Sequence, residues 1–187
     1  RRMELPRVLG HEICGIVEMI GEGVRNVAVG DYVSLESHVY CGLCRTCRLG
    51  KAHLCENTSY PGINFDGGFA EYVTVPSQIV WKVSEKIPKE VAVMMEPFGI
   101  SVHASMAGSG VAGKNVLVNG CGPIGLMNVA TAKALGATRV IACDINPLRL
   151  KTAKTMGASC VVNALEEDLN SIVNSLTENS GVDVAIE

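Results

Sequence analysis

The sequence predicts two unlike halves, a β-rich small barrel followed by an α/β doubly wound parallel sheet that stops before it is complete. Three observations lead there. Short β-rich runs punctuated by glycine fill the first half, a strand, glycine turn and helix open the second, and a strand–helix alternation continues to the last residue.

In the first half the runs are Ile16 to Gly21, Gly30 to Leu35, Gly67 to Pro76 and Ile79 to Val83. Each is short and apolar at intervals, and glycine or proline punctuates the stretch, as in the strands of a twisted barrel. Pro76 and Pro88 mark strand ends, and Lys89 to Met95 can begin a helical link toward the second half.

Between these strands lies a cysteine loop, residues 41–55. Cys41-Gly42-Leu43-Cys44-Arg45-Thr46-Cys47 is followed by Cys55. The first three thiols are spaced for a tight knuckle, and the fourth returns after a loop containing Gly50. Thiolate is a soft ligand and four sulfurs close a tetrahedron, so zinc is the expected metal and the site is structural. An iron–sulfur run has its fourth cysteine three residues on, followed by proline; here the gap is longer and Glu56 follows Cys55. Disulfides suit a secreted chain, but no signal-like start is in view and the other cysteines lie in apolar runs.

From Lys114 the period changes. Asn115 to Asn119 reads as a buried strand, Gly120-Cys121-Gly122-Pro123-Ile124-Gly125 as a tight turn, and Leu126 to Leu135 as a helix closed by Gly136. This is G-x-G-x-x-G in its required context, the Rossmann dinucleotide fingerprint. Gly120 makes the turn, Gly122 lets a pyrophosphate approach the amides of the helix N-terminus, and Gly125 lets helix pack on strand. The next strand, Arg139 to Cys143, ends in Asp144 about twenty residues further on. Its carboxylate suits the adenosine ribose hydroxyls and repels a 2′-phosphate, which favours NAD; Arg149 nearby keeps NADP open. Helices over Leu148–Met156 and Glu166–Leu176 and strands over Cys160–Val162 and Val182–Ile186 complete the pattern. Four strands are counted where a whole sheet has about six.

Two further places carry chemistry. Gly10-His11-Glu12 sets an imidazole beside a carboxylate after a turn-permitting glycine, which suits a metal ligand and its neighbour and equally a histidine bonded at a strand end. Glu96 is a carboxylate inside the apolar run Met94 to Gly99, so a buried partner or a site is implied. His38, just before the cysteine knuckle, is a candidate substrate contact. His53 and His103 read as a loop-packing residue and a helix residue. Cys14, Cys121, Cys143 and Cys160 read as small buried hydrophobes.

A net charge of −3 without a basic block excludes the electrostatic footprint of a nucleic-acid or membrane-surface binder, leaving small molecules as the expected partners. The most apolar run, Val116 to Ala134, is interrupted by Asn119, glycines, Pro123, Asn128 and Lys133, and reads as strand, turn and helix, not as a membrane span. Eight cysteines without a secretory segment predict a reducing compartment, the cytoplasm.

Gly10-His11-Glu12, the cysteine knuckle, Asp66 to Tyr72 and Gly120 to Gly125, in this order, resemble the zinc-containing medium-chain dehydrogenases over essentially the whole chain. Glu36 to Cys41, His53 to Thr58, Gly62 to Asn64 and Met94 to Gly99 look most like the L-threonine 3-dehydrogenase branch. Ile100-Ser101-Val102-His103 departs from that branch, whose members usually have asparagine first, and is closer to polyol and secondary-alcohol relatives.

The resemblance implies a GroES-like catalytic domain over 1–98 with its N-terminal start missing, and an NAD-binding Rossmann domain over 99–187 lacking its last strands. It implies two zinc ions per full-length subunit, one catalytic and one structural. His11 and Glu12 then belong to the catalytic zinc site, Glu12 as either a ligand or an exchangeable neighbour, Glu96 to the acidic position that tunes that zinc and its proton relay, and Cys41, Cys44, Cys47 and Cys55 to the structural site. Ile124, Asp144 and Arg149 match positions that contact NAD. The catalytic cysteine ligand and the proton-relay residues are expected upstream of Arg1, and a homo-oligomer, a tetramer, is expected for the whole protein. The implied reaction is hydride transfer from a secondary alcohol to NAD, L-threonine giving 2-amino-3-oxobutanoate. A polyol or butanediol dehydrogenase is the alternative within the class, and a non-catalytic zinc-stabilised nucleotide-binding fragment the alternative outside it. The chain is expected to be inactive by itself.

Overall fold

A computed structural model describes residues 4–187. Two compact units are present, the first ending at Glu96 and the second Pro97–Glu187.

In the first unit, strands β1 (Cys14–Ile16), β2 (Tyr32–Leu35) and β3 (Val80–Lys82) form an antiparallel sheet in that order, with Gly15 opposite Val33 and Ser34 opposite Trp81. The middle strand is buried along its length, as a strand flanked on both sides should be. Ser34 Oγ donates to the Ala92 carbonyl at 2.8 Å, tying the sheet to the short helix α2 (Lys89–Ala92). The cysteine loop carries its own turn of helix, α1 (Arg45–Arg48).

The strand expected over Gly67 to Pro76 does not form. Only its beginning finds a partner: Gly67, Gly68 and Phe69 donate to Val8, Gly10 and Leu9 carbonyls at 2.8–2.9 Å. Beyond Phe69 the backbone is irregular to Pro76, and Phe69 and Tyr72 stand exposed. An apolar alternation becomes a strand only where a ladder is offered to it.

The second unit begins within helix α3 (Met95–Met106) and continues with β4 (Asn115–Asn119), α4 (Pro123–Ala134), β5 (Arg139–Asp144), α5 (Pro147–Thr155), β6 (Cys160–Asn163), α6 (Leu169–Leu176) and β7 (Val184–Ile186). All four strands are parallel, in the order β6-β5-β4-β7. Alternation along the strands covers both faces: Val116, Val118, Val140 and Ala142 pack with Val129, Ala132, Leu150 and Ala153 of α4 and α5. Ile141 and Cys143 point the other way, toward Val162 and Val173, with Leu169, Ile172 and Leu176 of α6 completing that layer. The last three share one face of α6 with Val173 at helical spacing, which is why this helix docks.

Local chemistry sets the helix starts. Asn146 caps α5 by accepting from Leu148 and Arg149 amides at 2.9 and 3.3 Å, with Pro147 at the first position. Asp168 caps α6 through the Asn170 amide at 3.0 Å. No helix among the described residues is long and apolar enough to cross a membrane; Val116 to Ala134 is β4, a turn and α4.

Candidate metal centres and dinucleotide turn

The four loop cysteines converge. Their sulfurs lie within 4.8 Å of one another, with Cys44–Cys47 at 3.4 Å, Cys41–Cys55 at 3.6 Å and Cys44–Cys55 at 3.8 Å. A tetrahedron with metal–sulfur bonds of about 2.3 Å has edges of about 3.8 Å, so the donor set fits zinc. Gly42, at φ 71°, turns the chain back so that the Leu43 and Cys44 amides donate to Cys41 Sγ, each at 3.4 Å. The Asn57 and Cys41 amides do the same for Cys55 Sγ at 3.3 Å. Thr46 Oγ1 lies 3.1 Å from Cys44 Sγ, and with the Cys47 and Glu56 amides it lowers that thiol to about 5. Cys41 is lowered by the Leu43 and Cys44 amides. Burial and the thiols of Cys44 and Cys55 push Cys47 up to about 12. Some sulfurs are thus prepared as thiolates while a neighbour resists ionising, the conflict that a divalent cation resolves. No disulfide joins any of the eight cysteines.

A second cluster unites residues far apart in sequence. A ring nitrogen of His11 and carboxylate oxygens of Glu12 and Glu96 all lie within 4.8 Å of one another. Glu96 is buried, Glu12 exposed and His11 half-buried, so the cluster has one wet side and one dry side. The dry carboxylate has a donor: Ser37 Oγ donates to Glu96 Oε1, and Ser37 is itself buried. An imidazole with two carboxylates is a donor set that suits zinc. Ser37 was not anticipated; its signal is only its place between Glu36 and His38, in a segment already singled out for His38.

His38 is differently engaged. Its Nδ1 pairs with Glu36 Oε1, its amide donates to Glu36 Oε2 at 3.0 Å, and its ring meets Tyr60 edge-on at 5.0 Å.

In the second unit the glycine turn has its three glycines in three situations. Gly120 adopts φ 95°, a conformation only glycine takes readily. A Cβ on Gly125 would lie 1.9 Å from the Gly120 carbonyl oxygen, so no side chain fits there. Gly122 faces open space, and as the N-cap of α4 it leaves the first turn of amides without a side-chain partner. An open approach to unpartnered helix amides is what a pyrophosphate requires. Ile124 follows in the first turn of α4, 40% exposed.

Asp144 ends β5 beside this turn. Its carboxylate accepts from the Cys121 amide at 2.7 Å and the Asn146 amide at 2.8 Å, and Arg149 Nη1 lies 3.7 Å away. Burial pushes its carboxyl up, but these amides, that of Ile145 and the Arg149 charge together outweigh it and hold the group below its ordinary value. Cys121 is fully buried, and burial with the Asp144 charge pushes its thiol to about 11, which leaves it a packing residue.

Two domain families match this chain. The alcohol dehydrogenase GroES-like domain matches residues 1–85 and the zinc-binding dehydrogenase domain residues 123–187. The chain belongs to the zinc-containing medium-chain dehydrogenase family. Within it, the chain is 46% identical over 186 residues to the L-threonine 3-dehydrogenase of Pyrococcus horikoshii, covering 100% of this chain and 53% of the relative. It is 48% identical over 187 residues to that of Bacillus subtilis, covering 100% and 54%. The chain thus spans about half the length of the curated relatives it matches. The crystal structure of galactitol-1-phosphate dehydrogenase from Escherichia coli superposes with a TM-score of 0.89 at 34% identity, over 95% of this chain and 51% of that one.

Proposed function

We propose that the protein is a zinc-dependent oxidoreductase that passes a hydride from a secondary alcohol to NAD, with L-threonine as substrate and 2-amino-3-oxobutanoate as product. The observation that carries this reading is the meeting of His11, Glu12 and Glu96 within 4.8 Å, across more than eighty residues of sequence. The threonine assignment is supported by the two L-threonine 3-dehydrogenases at 46% and 48% identity.

In this reading His11 and Glu12 hold the catalytic zinc, with Glu96 beside it, and the loop cysteines hold the structural one. Zinc bound there supplies Lewis acidity that makes the substrate hydroxyl easier to deprotonate. The chain's own residues do the positioning. Ser37 keeps the Glu96 carboxylate in one orientation beside His11 and Glu12. The amides behind Gly122 would take a pyrophosphate and Asp144 the ribose hydroxyls, with Ile124 and Arg149 as further residues toward NAD, which when bound would supply the hydride acceptor. The reaction would release the hydroxyl proton to solvent and pass the carbinol hydrogen, with both bonding electrons, to NAD, leaving a ketone and NADH.

The test is NADH formation by the full-length protein with L-threonine beside sorbitol and 2,3-butanediol. Turnover favouring threonine supports the proposal. Turnover only with a polyol or diol keeps the mechanism and moves the substrate, a second reading supported by Ile100 to His103 and by the likeness to galactitol-1-phosphate dehydrogenase. Silence with all three, zinc being bound, favours a different alcohol substrate or a non-catalytic nucleotide-binding protein. His11→Ala is expected to abolish turnover and leave NAD affinity intact; loss of both would contradict the assignment of His11.

A further inference from the structure

His11 and Glu12 lie in neither helix nor strand. Something outside regular secondary structure must therefore hold the imidazole against Glu96. On the C-terminal side the Leu35 amide donates to the Ile13 carbonyl at 3.0 Å, where β1 is about to begin. On the N-terminal side the restraint is a strap, residues 59–69.

The strap starts where Ser59 and Val39 exchange backbone hydrogen bonds of 2.9 and 3.0 Å, and Tyr60 packs its ring on His38. It turns through Asn64, whose Oδ1 accepts from the Tyr60 amide at 2.8 Å. It then runs beside the segment leading to His11. Asp66 Oδ1 accepts from the Val8 amide at 3.2 Å, Gly67 donates to Val8 O at 2.8 Å, and Gly68 donates to Gly10 O at 2.9 Å.

The approach is closer than side chains allow. A Cβ on Gly67 would stand 2.1 Å from Gly10 O and 2.7 Å from Gly62 Cα, and a Cβ on Gly62 would stand 2.7 Å from Gly10 N. All the blocking atoms are backbone, so none can swing aside. The Gly10 carbonyl belongs to the same planar peptide as the His11 amide. Anything that pushes this oxygen turns the peptide from which the imidazole hangs.

We propose that the strap is the positioning element of His11, with Gly67 as its fixed point and Gly62 and Asp66 as supports. This rests on the reading that His11 holds the catalytic metal. Glycine at 67 is then required by the metal site as well as by packing.

The test uses full-length Gly67→Ala, with Asp66→Ala as a milder variant whose side chain is 65% exposed and Gly21→Ala as a control with nothing near its added methyl. Zinc per chain is followed during dialysis against a graded chelator, together with NADH affinity by fluorescence. In Gly67→Ala the second zinc should bind about 10- to 100-fold more weakly, while the cysteine-bound zinc and NADH affinity stay as in wild type. Asp66→Ala should shift the same zinc in the same direction by a smaller factor, and settles the matter if Gly67→Ala does not fold. Gly21→Ala should behave as wild type. A lowered melting temperature with unchanged affinity for the second zinc in both strap variants overturns the inference and leaves the proposed function standing. A wild-type protein that holds zinc only at its cysteines overturns both.

Discussion

The cysteine cluster and the His11 cluster are built on opposite plans. The four cysteines lie within one short loop, and amides of the same stretch point at their sulfurs, so the site carries its own support. The other cluster joins a histidine and a glutamate outside regular structure to a glutamate on α3, and leans on Ser37, the strap and the sheet. A closed, locally supported site suits a structural metal, and an open one with an exposed carboxylate leaves room for a substrate. The first should fail as a unit of folding, the second as a unit of chemistry.

The largest expected effect that would break this contrast is at the cysteines. Cys44→Ser should remove one zinc per chain and lower the thermal midpoint severely, because binding free energy at a site absent from the unfolded chain is folding free energy. Unchanged zinc content and unchanged calorimetric midpoint would make the loop an ordinary one.

Next in size is the dinucleotide turn, also a local structure. Gly125→Val should cost about 3 kcal/mol in urea unfolding and abolish NADH binding, since the new side chain has to displace the Gly120 carbonyl. Retained NADH fluorescence enhancement would count against close helix–strand packing as the reason for glycine.

Smaller again is the Ser37 effect. Ser37→Ala leaves Glu96 buried without its donor, which should cost about 1–3 kcal/mol of stability and reduce kcat more than NAD affinity. Equal loss in both would place Ser37 in general packing.

The smallest is a pH effect. The Asp144 carboxyl is held below its ordinary value in the folded chain, so its contribution is complete above the unfolded value of about 3.9 and fades as pH falls through the lower folded value. The stability gap between wild type and Asp144→Asn should therefore close only in acid, as followed by urea midpoints from neutral pH downward. A gap that is constant with pH would mean the carboxylate charge is not what the amides hold.

The same contrast explains what the sequence made legible. The cysteine loop, the glycine turn and Asp144 are set by spacing within a short run; the four sulfurs lie together and Asp144 accepts from the Cys121 amide of the turn. In β4 to β7 the unbroken apolar runs and the closing Gly136 mark strands and helices within a few residues of their observed ends. Glu96 was visible as a charge out of place, but its neighbours His11 and Ser37 are joined to it only through tertiary contacts. Gly62 and Gly67 are only members of longer runs in the sequence, with no sign there that both approach Gly10. The run after Phe69 has a strand's composition and no ladder to join, and His38 spends its ring nitrogen on Glu36 two residues away. Local patterns carry spacing; they do not carry which distant backbone comes to meet them.

The most direct test of the account is zinc content and threonine-dependent NADH formation measured together on full-length wild type and His11→Ala. Wild type should hold two zinc ions per chain and turn over, and the variant should hold one zinc, show no turnover and keep its NADH affinity. Two zinc ions with undiminished turnover in His11→Ala would contradict it.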